Sequence, residues 1–259
     1  MVRPKKYFGQ HFLTDPGIAR KIADLIPENE KSVLEIGPGK GILTRFLFER
    51  GFDEFYAVEI DPQAVTFLKN HWPEHQTAIL EADFLKTDVT RLFHSSFYIT
   101  GNFPYNISNP ILFRAIEFRD QISGLTGMFQ REVARRVTAE PGNKEYGILS
   151  VLLRAWFEPE YCFTVAAGSF FPPPKVQSAV IRLTRKKTPG PGCDEKLFVQ
   201  LVKTAFNQRR KTLRNALRSL IPDIKDPSVE PWMSCRAEEL STEDFVLLTN
   251  AVSNLRGLN

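Results

Sequence analysis

Four consecutive residues, Asn102-Phe103-Pro104-Tyr105, could hold an exocyclic amine in place for alkylation. The side-chain oxygen of Asn102 and the carbonyl oxygen of Phe103 can both accept hydrogen bonds from an adenine N6 amino group. Pro104 fixes the turn because its ring restricts φ, and Tyr105 offers a ring face on which a base can stack. Taken alone, the tetrapeptide is more often an ordinary turn, since Asn and Pro are common turn formers. The rest of the sequence has to decide between these interpretations.

A glycine-rich loop, Gly37-Pro38-Gly39-Lys40-Gly41, follows a predicted strand at residues 32–36 and precedes a predicted helix. Gly37 and Gly39 let the backbone approach a ligand closely and direct the amides of the helix N-terminus at it. The spacing is GxGxG, and Ile42 breaks the GxGxxG fingerprint of dinucleotide-binding proteins. On this loop alone, an enzyme that uses NAD remains possible.

Two acidic residues follow later predicted strands. Glu59 ends the second strand, where its carboxylate can accept hydrogen bonds from both hydroxyls of a ribose. Asp83 follows the third strand and is placed to accept from an adenine amino group, with Phe84 against the ring. Together with Asn102 after the fourth strand, these residues form an ordered set that predicts binding of S-adenosylmethionine. The sulfonium of this cofactor is expected beside Asn102.

Strands and helices alternate through the first two thirds of the chain. Because successive strands joined by helices form parallel sheets, the pattern predicts an α/β fold. The expected architecture is a Rossmann-like sheet flanked by helices, with ligands bound outside the carboxyl ends of its strands. The predicted strands are 32–36, 55–59, 77–81, 97–101, 124–130, 161–165 and 178–184, and the predicted helices are 41–50, 109–118, 131–138 and one that begins at Pro62.

A linker rich in proline and glycine, residues 186–192, separates this region from a helical remainder. Beyond it the pattern predicts helices at 195–206, 209–220 and 242–254. We therefore expect a catalytic domain that binds S-adenosylmethionine at residues 1–187 and a small helical domain that binds RNA at 193–259.

Composition restricts the class of protein. No apolar run of the 259 residues approaches the ~20 that span a bilayer, and the basic N-terminus lacks the apolar stretch of a signal peptide. The cysteines, Cys162, Cys193 and Cys235, are scattered and form no CxxC. This usage favours a reducing compartment and argues against zinc. We expect a cytoplasmic monomer that binds neither metal nor membrane.

A run of basic residues without an acidic one lies inside the predicted helix at 209–220. Many charged helices are merely solvated, but a solvated face usually mixes both signs. A face of one sign is better explained by a polyanion, which makes these residues candidates for RNA binding. They are Arg209, Arg210, Lys211, Arg214 and Arg218.

Five segments of the chain resemble one family within the class I methyltransferases, the ribosomal RNA adenine dimethyltransferases. The segments are 8–13 (FGQHFL), 102–108 (NFPYNIS), 128–134 (MFQREVA), 171–180 (FPPPKVQSAV) and 205–215 (AFNQRRKTLRN). The resemblance covers roughly residues 5–220. It implies dimethylation, at N6, of two adjacent adenosines in a hairpin near the 3′ end of 16S rRNA within the small ribosomal subunit.

The resemblance also implies cofactor contacts at His11, Leu13, Gly37, Glu59, Asp83 and Asn102. Some family members carry Asn where this chain has His11, so the implied contact at this position is made by the backbone, and the role of the side chain stays open. Many members carry Leu where Phe103 stands. That difference changes the bulk of the loop but leaves the carbonyl acceptor in place.

Three alternatives remain. A macrolide-resistance methyltransferase would use the same fold and chemistry on 23S rRNA, but the segments 171–176 and 207–211 favour the small-subunit enzyme. A DNA adenine methyltransferase would share the loop at 102–105 but normally carries a target-recognition domain, for which the residues after Gly192 leave little room. An assembly or transcription factor that kept the fold and lost activity is disfavoured by the intact site residues.

Overall fold

The computed structural model describes residues 4–5, 9–221 and 223–257. The chain divides into two compact units. The first comprises Met1–Ala134 and Pro159–Arg185, and the second comprises Arg135–Glu158 and Lys186–Asn259.

A seven-stranded sheet of order β4-β3-β2-β5-β6-β9-β7 forms the centre of the first unit. Strands β2 to β6 pair in parallel, and β9 pairs antiparallel with β6. Strands β1 (Phe12–Leu13) and β8 (Phe170–Phe171) form a separate antiparallel pair. The other strands are β2 (Ser32–Ile36), β3 (Glu54–Glu59), β4 (Ile79–Glu81), β5 (Phe97–Asn102), β6 (Ile122–Gln130), β7 (Phe157–Val165) and β9 (Ser178–Arg185). The late strands expected to pair, β7 and β9, are neighbours at one edge.

Three helices connect parallel strands, as the α/β prediction requires: α2 (Ile42–Arg50), α3 (Pro62–His71) and α4 (Ser108–Glu117). Helix α1 (Pro16–Asp24) precedes β2, and α5 (Arg131–Thr138) follows β6. Pro62 is the first residue of α3, as predicted, because its missing amide needs no partner there. The side chain of Asp61 caps this helix by accepting from the Gln63 amide at 3.0 Å.

The core of the first unit lies between the sheet and its helices. All five residues of β2 are buried, as expected for a central parallel strand covered on both faces. Leu43, Phe46 and Leu47 form the apolar face of α2 and pack in the same cluster as Val33. This packing fixes the end of β2, and with it the start of the glycine loop.

Helices α6, α7 and α10 pack against one another in the second unit. Its helices are α6 (Ile148–Trp156), α7 (Glu195–Asn207), α8 (Leu213–Ala216), α9 (Glu230–Met233) and α10 (Thr242–Leu255). The predicted domain at 1–187 contains α6, whereas the structure groups residues 135–158 with the second unit. Nearly every residue of α6 is buried, so it needs neighbours on all sides, and α7 and α10 provide them. The functional division of the chain stays a prediction.

The helix predicted at 209–220 is wrong. Helix α7 ends at Asn207, and within residues 209–220 only Leu213–Ala216 forms an α-helix. Thr212 forms an antiparallel bridge with Arg236, and the Leu213 amide donates to the Cys235 carbonyl at 2.8 Å. These long-range backbone bonds override the local helical preference. Arg210 and Arg214 therefore do not share a helix face. The strand predicted at 77–81 corresponds to β4, which starts two residues later, at Ile79, because residues 73–78 form 3₁₀ turns.

Gly127 leaves the space that the Phe103 ring occupies. A Cβ atom at position 127 would lie 2.0 Å from Cε2 of Phe103, on a central strand. We predict that Gly127→Ala lowers the free energy of unfolding by ~1–3 kcal/mol, because the ring or strand must shift. Urea denaturation measures the loss. Gly168→Ala is the control, since a Cβ there would meet no atom within 4 Å. Equal midpoints for the two variants would contradict the prediction.

Candidate active site

A cleft opens at the carboxyl ends of the central strands of the first unit. Residues 9–13, 35–40, 42–43, 58–60, 82–85 and 102–107 line it. These ranges bring together every residue predicted to bind the cofactor or to act in catalysis, although the sequence separates them by up to 94 positions (from 11 to 105). The individual roles of these residues stay predictions. Phe8, part of the N-terminal motif, lies outside the described residues.

The glycine loop passes close to side chains that a larger residue would strike. Gly39 has φ 58°, a left-handed conformation that favours glycine. A Cβ there would lie 3.0 Å from the Phe12 ring, and one at Gly37 would lie 3.4 Å from Cδ of Pro104. Gly37 is also left-handed, with φ 68°, so the backbone conformation favours glycine at both positions and leaves the loop without side chains where it lines the cleft. A cofactor that needs close backbone approach fits it.

Glu59 lies at the end of β3 and is only 4% exposed. One carboxylate oxygen accepts from the Gly39 amide at 3.1 Å, and the other accepts from the Asp61 amide at 3.0 Å. Burial raises the pKa of the Glu59 carboxyl above its ordinary value, against these two hydrogen bonds. A buried carboxylate gains from further donors, and its oxygens can each accept a second hydrogen bond. The hydroxyls of a ribose would supply them.

Asp83 is held by the turn that follows β4. Its Oδ1 accepts from the Leu85 amide at 2.9 Å, and its Oδ2 lies 3.6 Å from Nζ of Lys86. The backbone carbonyl of Asp83 accepts from the amides of Lys86 and Thr87. The next residue, Phe84, is buried and lines the cleft. This geometry suits an adenine ring beside Phe84 with its amino group toward Asp83.

The amide of Asn102 has a fixed orientation. Its Nδ2 donates to the His11 carbonyl at 3.0 Å, and because a carbonyl only accepts, the Asn102 oxygen is left to accept from a ligand. Phe103 is anchored next to it: its amide donates to the Met128 carbonyl at 3.2 Å, and its buried ring packs 4.7 Å from that of Phe129. Phe103, which is larger than the Leu of many family members, thus fills space in the core with its ring.

The His11 side chain contacts two other segments of the chain. Its Nδ1 donates to the Pro172 carbonyl at 2.7 Å, and its ring stacks on Tyr105 at 5.2 Å between centroids. The Tyr105 hydroxyl bonds the Ser178 hydroxyl at 2.5 Å. The imidazole covers one face of Tyr105, so a base that stacks on this ring uses the other face or displaces His11.

Sequence reasoning missed two notable residues. Phe171 pairs with Phe12 in the β1–β8 sheet and is 59% exposed, which is unusual for an aromatic ring of this size. The only signal for this residue in the sequence is that segment 171–180 resembles the family. Glu35 lies on the cleft wall, and it is 1% exposed. Its signal was a charged residue inside the apolar strand β2.

Burial favours the protonated form of the Glu35 carboxyl. Its Oε2 has no hydrogen-bond partner among the described residues. Burial, with a smaller contribution from the charge of Glu59, raises the pKa of Glu35 to about 8. Glu59 is therefore the carboxylate of this pair that more readily carries the negative charge.

Two solved structures share this fold over nearly the whole chain. One is a dimethyladenosine transferase from Plasmodium falciparum, with a TM-score of 0.77, 27% identity, and coverage of 92% of this chain and 96% of that one. The other is the 23S rRNA methyltransferase ErmE, with a TM-score of 0.74, 26% identity, and coverage of 93% and 99%. The sheet and its cleft are those of a class I methyltransferase that uses S-adenosylmethionine, as the sequence predicts.

The sequence comparisons narrow the class. The model of the family described as ribosomal RNA adenine dimethylase matches residues 1–252, and the chain belongs to this family. It is therefore an enzyme that methylates adenine in ribosomal RNA. A protein from Parabacteroides distasonis is 51% identical, over 96% of this chain and 94% of its own length. One from Bacteroides thetaiotaomicron is 50% identical, over 97% and 95%. Both are named ribosomal RNA small subunit methyltransferase A.

Within the described ranges, none of the helices has the length and apolar character that crossing a bilayer requires.

The buried carboxyl of Glu35 should make stability depend on pH. Burial raises the pKa of this carboxyl to about 8 in the folded protein, whereas an exposed glutamate loses its proton near the ordinary pKa of 4.5. Between these values the folded state holds more protons, so the free energy of unfolding falls as pH rises. We predict that Glu35→Gln removes this loss. Its stability relative to wild type should grow with pH by up to ~1.4 kcal/mol per unit.

Urea denaturation across this pH window measures the effect. Glu28→Gln, at an exposed position in the same unit, is the matched control and should give a constant difference from wild type. Parallel pH profiles for Glu35→Gln and wild type would show that the carboxyl ionises normally in the fold.

Proposed function

We propose that this enzyme dimethylates N6 of two adjacent adenosines in a hairpin near the 3′ end of 16S rRNA, within the small ribosomal subunit. The observation that carries the proposal is the identity of about half the residues, across nearly the whole chain, with proteins named for the small subunit. The enzyme would act as a monomer in the cytoplasm. The rival 23S rRNA methyltransferase has almost the same fold but only 26% identity.

Bound S-adenosylmethionine would supply an electrophilic methyl group on a sulfonium. Glu59 would hold the ribose hydroxyls, and Asp83 with Phe84 would hold the adenine. Gly37 and Gly39 would admit the cofactor close to the backbone, with the contacts of His11 and Leu13 completing the site. The fit rests on a buried carboxylate with spare acceptor capacity and on a loop whose left-handed backbone favours glycine at positions 37 and 39.

Asn102 and Phe103 would position the target amine. The lone pair of adenine N6 is delocalised into the ring, which makes the amine a poor nucleophile. Hydrogen bonds from its two N–H groups to the Asn102 oxygen and the Phe103 carbonyl favour a more tetrahedral nitrogen with a directed lone pair. Because the His11 carbonyl already holds the Asn102 amide, this acceptor needs no reorganisation when the amine arrives. Catalysis is then mainly orientation, which can supply up to ~7–11 kcal/mol.

Two transfers to one nitrogen set a further condition. After the first transfer the amine has one N–H left, so it can bond only one of the two acceptors. The enzyme must therefore tolerate the loss of either the Asn102 or the Phe103 contact in the second transfer. Pro104 and Tyr105 keep the loop and the base in register in both transfers, and the Ser178 hydroxyl holds Tyr105.

We predict that Asn102→Ala lowers the methylation rate by ~10²–10³ and weakens cofactor binding only modestly. The reason is the loss of a preoriented acceptor at the reacting amine. The measurement is transfer of labelled methyl groups to undermethylated small subunits, with calorimetry for cofactor affinity. Asn109→Ala, an exposed asparagine on α4, is the control. A rate for Asn102→Ala within about threefold of wild type would remove Asn102 from the mechanism.

The same assay tests the proposed substrate. Digestion of the rRNA followed by mass spectrometry should find dimethyladenosine in 16S rRNA from small subunits. Unmethylated 23S rRNA offered separately should gain none. Dimethyladenosine only in 23S rRNA would favour the macrolide-resistance alternative, and none in either RNA would favour the inactive assembly factor.

The basic residues of the second unit differ in their availability for RNA. Arg209 pairs with Glu238, and Arg214 pairs with Glu230 at 2.6 Å. Three more, Arg210, Lys211 and Arg218, are exposed, and no carboxylate in the part of the chain that the structure describes pairs with them. All five remain candidates for RNA binding, and we propose that the three exposed cations make the phosphate contacts.

We predict that the double variant Arg210→Ala/Lys211→Ala weakens binding to the small subunit and flattens its salt dependence. Each lost phosphate contact should reduce the slope of log affinity against log salt by roughly 0.7–0.9. Titrations at several salt concentrations measure the slope. Lys196→Ala/Lys225→Ala removes the same charge from exposed positions of the same unit and should keep the wild-type slope. Cofactor affinity should not change in either variant. Identical slopes for both doubles would place the RNA contacts elsewhere.

A further inference from the structure

Arg114 is a mostly buried cation in α4, with a side chain 19% exposed. Its Nη2 donates to the Thr87 carbonyl at 2.8 Å, and its Nη1 lies 3.1 Å from Oε2 of Glu117. The guanidinium carbon lies 4.2 Å from the centroid of the Phe118 ring and 5.9 Å from that of the Phe84 ring. One side chain thus joins α4 to the segment that follows β4.

The Thr87 carbonyl is the far end of the turn that carries Asp83 and Phe84. The amides of Lys86 and Thr87 donate to the Asp83 carbonyl at 3.0 and 2.9 Å. A group that holds Thr87 therefore restrains the whole turn. Arg114 itself is not among the described residues that line the cleft, so its influence on a ligand is indirect.

The helix that carries Arg114 also begins beside the catalytic loop. Helix α4 starts at Ser108, whose hydroxyl donates to the Pro104 carbonyl at 3.3 Å. The buried residues Ile111, Leu112, Ala115 and Ile116 fix the helix in the core. Arg114 is thereby a rigid support for the turn at 83–87, built on the same element that follows Asn102–Tyr105.

We infer that Arg114 is a positioning residue for the adenine end of the cofactor site. It holds Phe84 and Asp83 in place through the Thr87 carbonyl and through contact with the Phe84 ring. The inference rests on the proposed assignment of Asp83 and Phe84 to the adenine. It assigns Arg114 to cofactor affinity and leaves the transfer step to the loop at 102–105.

Arginine is suited to this position for a geometric reason. Its planar guanidinium can donate to a carbonyl, pair with a carboxylate and lie over aromatic rings at the same time. Lysine offers a point charge that keeps the attraction to Glu117 or Thr87 but loses the planar contact. The Arg114 Nε is buried and has no hydrogen-bond partner among the described residues. Methionine, of similar length and apolar, avoids the cost of burying that group, so Arg114→Met should fold.

Calorimetry and steady-state kinetics on the full chain test the inference. For Arg114→Met we expect the Kd of S-adenosylmethionine to rise ~10-fold, because the variant loses one charge-assisted hydrogen bond. For Arg114→Lys a rise of about threefold is expected because the charge is kept. KM for the cofactor should rise in parallel, with kcat at saturating cofactor within about twofold of wild type. Methylthioadenosine, which keeps the adenosine part but lacks the amino-acid part of the cofactor, should lose affinity by the same factor.

Two further variants complete the design. Arg91→Ala removes an exposed arginine from the neighbouring segment, where it pairs with Asp88 at 3.0 Å, and should bind the cofactor as wild type does. Thermal unfolding of the ligand-free variants checks their folding, and Arg114→Lys serves if Arg114→Met fails to fold. Asp83→Asn changes the proposed direct contact itself.

Weakened binding by Asp83→Asn with wild-type binding by both Arg114 variants would overturn the inference and leave the proposed adenine site intact. Wild-type binding by Asp83→Asn and by both Arg114 variants would overturn the adenine assignment as well. A fall in kcat at unchanged Kd would also overturn the inference, because Arg114 would then act through the catalytic loop.

Discussion

The hydrogen bond from the Asn102 amide to the His11 carbonyl is the constraint on which the site depends. It joins the loop at 102–105 to a segment 91 residues earlier in the chain and leaves the asparagine oxygen as an acceptor. The loop is held from behind as well, since the Phe103 ring fills a space that Gly101 and Gly127 leave open. A Cβ at Gly101 would lie 2.5 Å from the Ile36 carbonyl. The apolar core thus preorients the polar acceptors. The free energy needed to order the loop is therefore spent when the protein folds and not when a substrate binds.

Burial also determines which of the two carboxyl groups in the cleft carries a charge more readily. Glu35 and Glu59 both lie in low-dielectric surroundings, but only Glu59 accepts hydrogen bonds from two backbone amides. Those amides support its charge, whereas Glu35, with an unpartnered oxygen, keeps its proton to about pH 8. Glu59 is thus the carboxylate of the pair that is better able to carry a negative charge. The repulsion between the two groups disfavours the state in which both are charged.

The sequence was informative where local chemistry decides structure. Val33, Leu34 and Ile36 identify a buried parallel strand, and Pro62 marks a helix start. Long-range pairing could not be predicted from the sequence. The bridge between Thr212 and Arg236 interrupts a helix that the local pattern favoured. The order of Glu59, Asp83 and Asn102 after successive strands gathered most of the site in advance, because parallel strands end at one edge. The contacts of His11 with Tyr105 and Pro172 depend on the β1–β8 pair, whose two-residue strands have no periodic signal.

Fold alone does not determine which ribosomal RNA is methylated. Solved structures named for a dimethyladenosine transferase and for a 23S rRNA methyltransferase match this chain almost equally, with TM-scores of 0.77 and 0.74. If the sheet and cleft are common to both, the choice of substrate has to lie in exposed residues. In the second unit the basic run is less uniform than its sequence indicates, because Glu230 and Glu238, distant in the chain, neutralise Arg214 and Arg209. Ion pairing therefore reduces five cations to three that can meet phosphates without first giving up a carboxylate. Selection by such a surface depends on where the free charges lie more than on how many basic residues the chain contains.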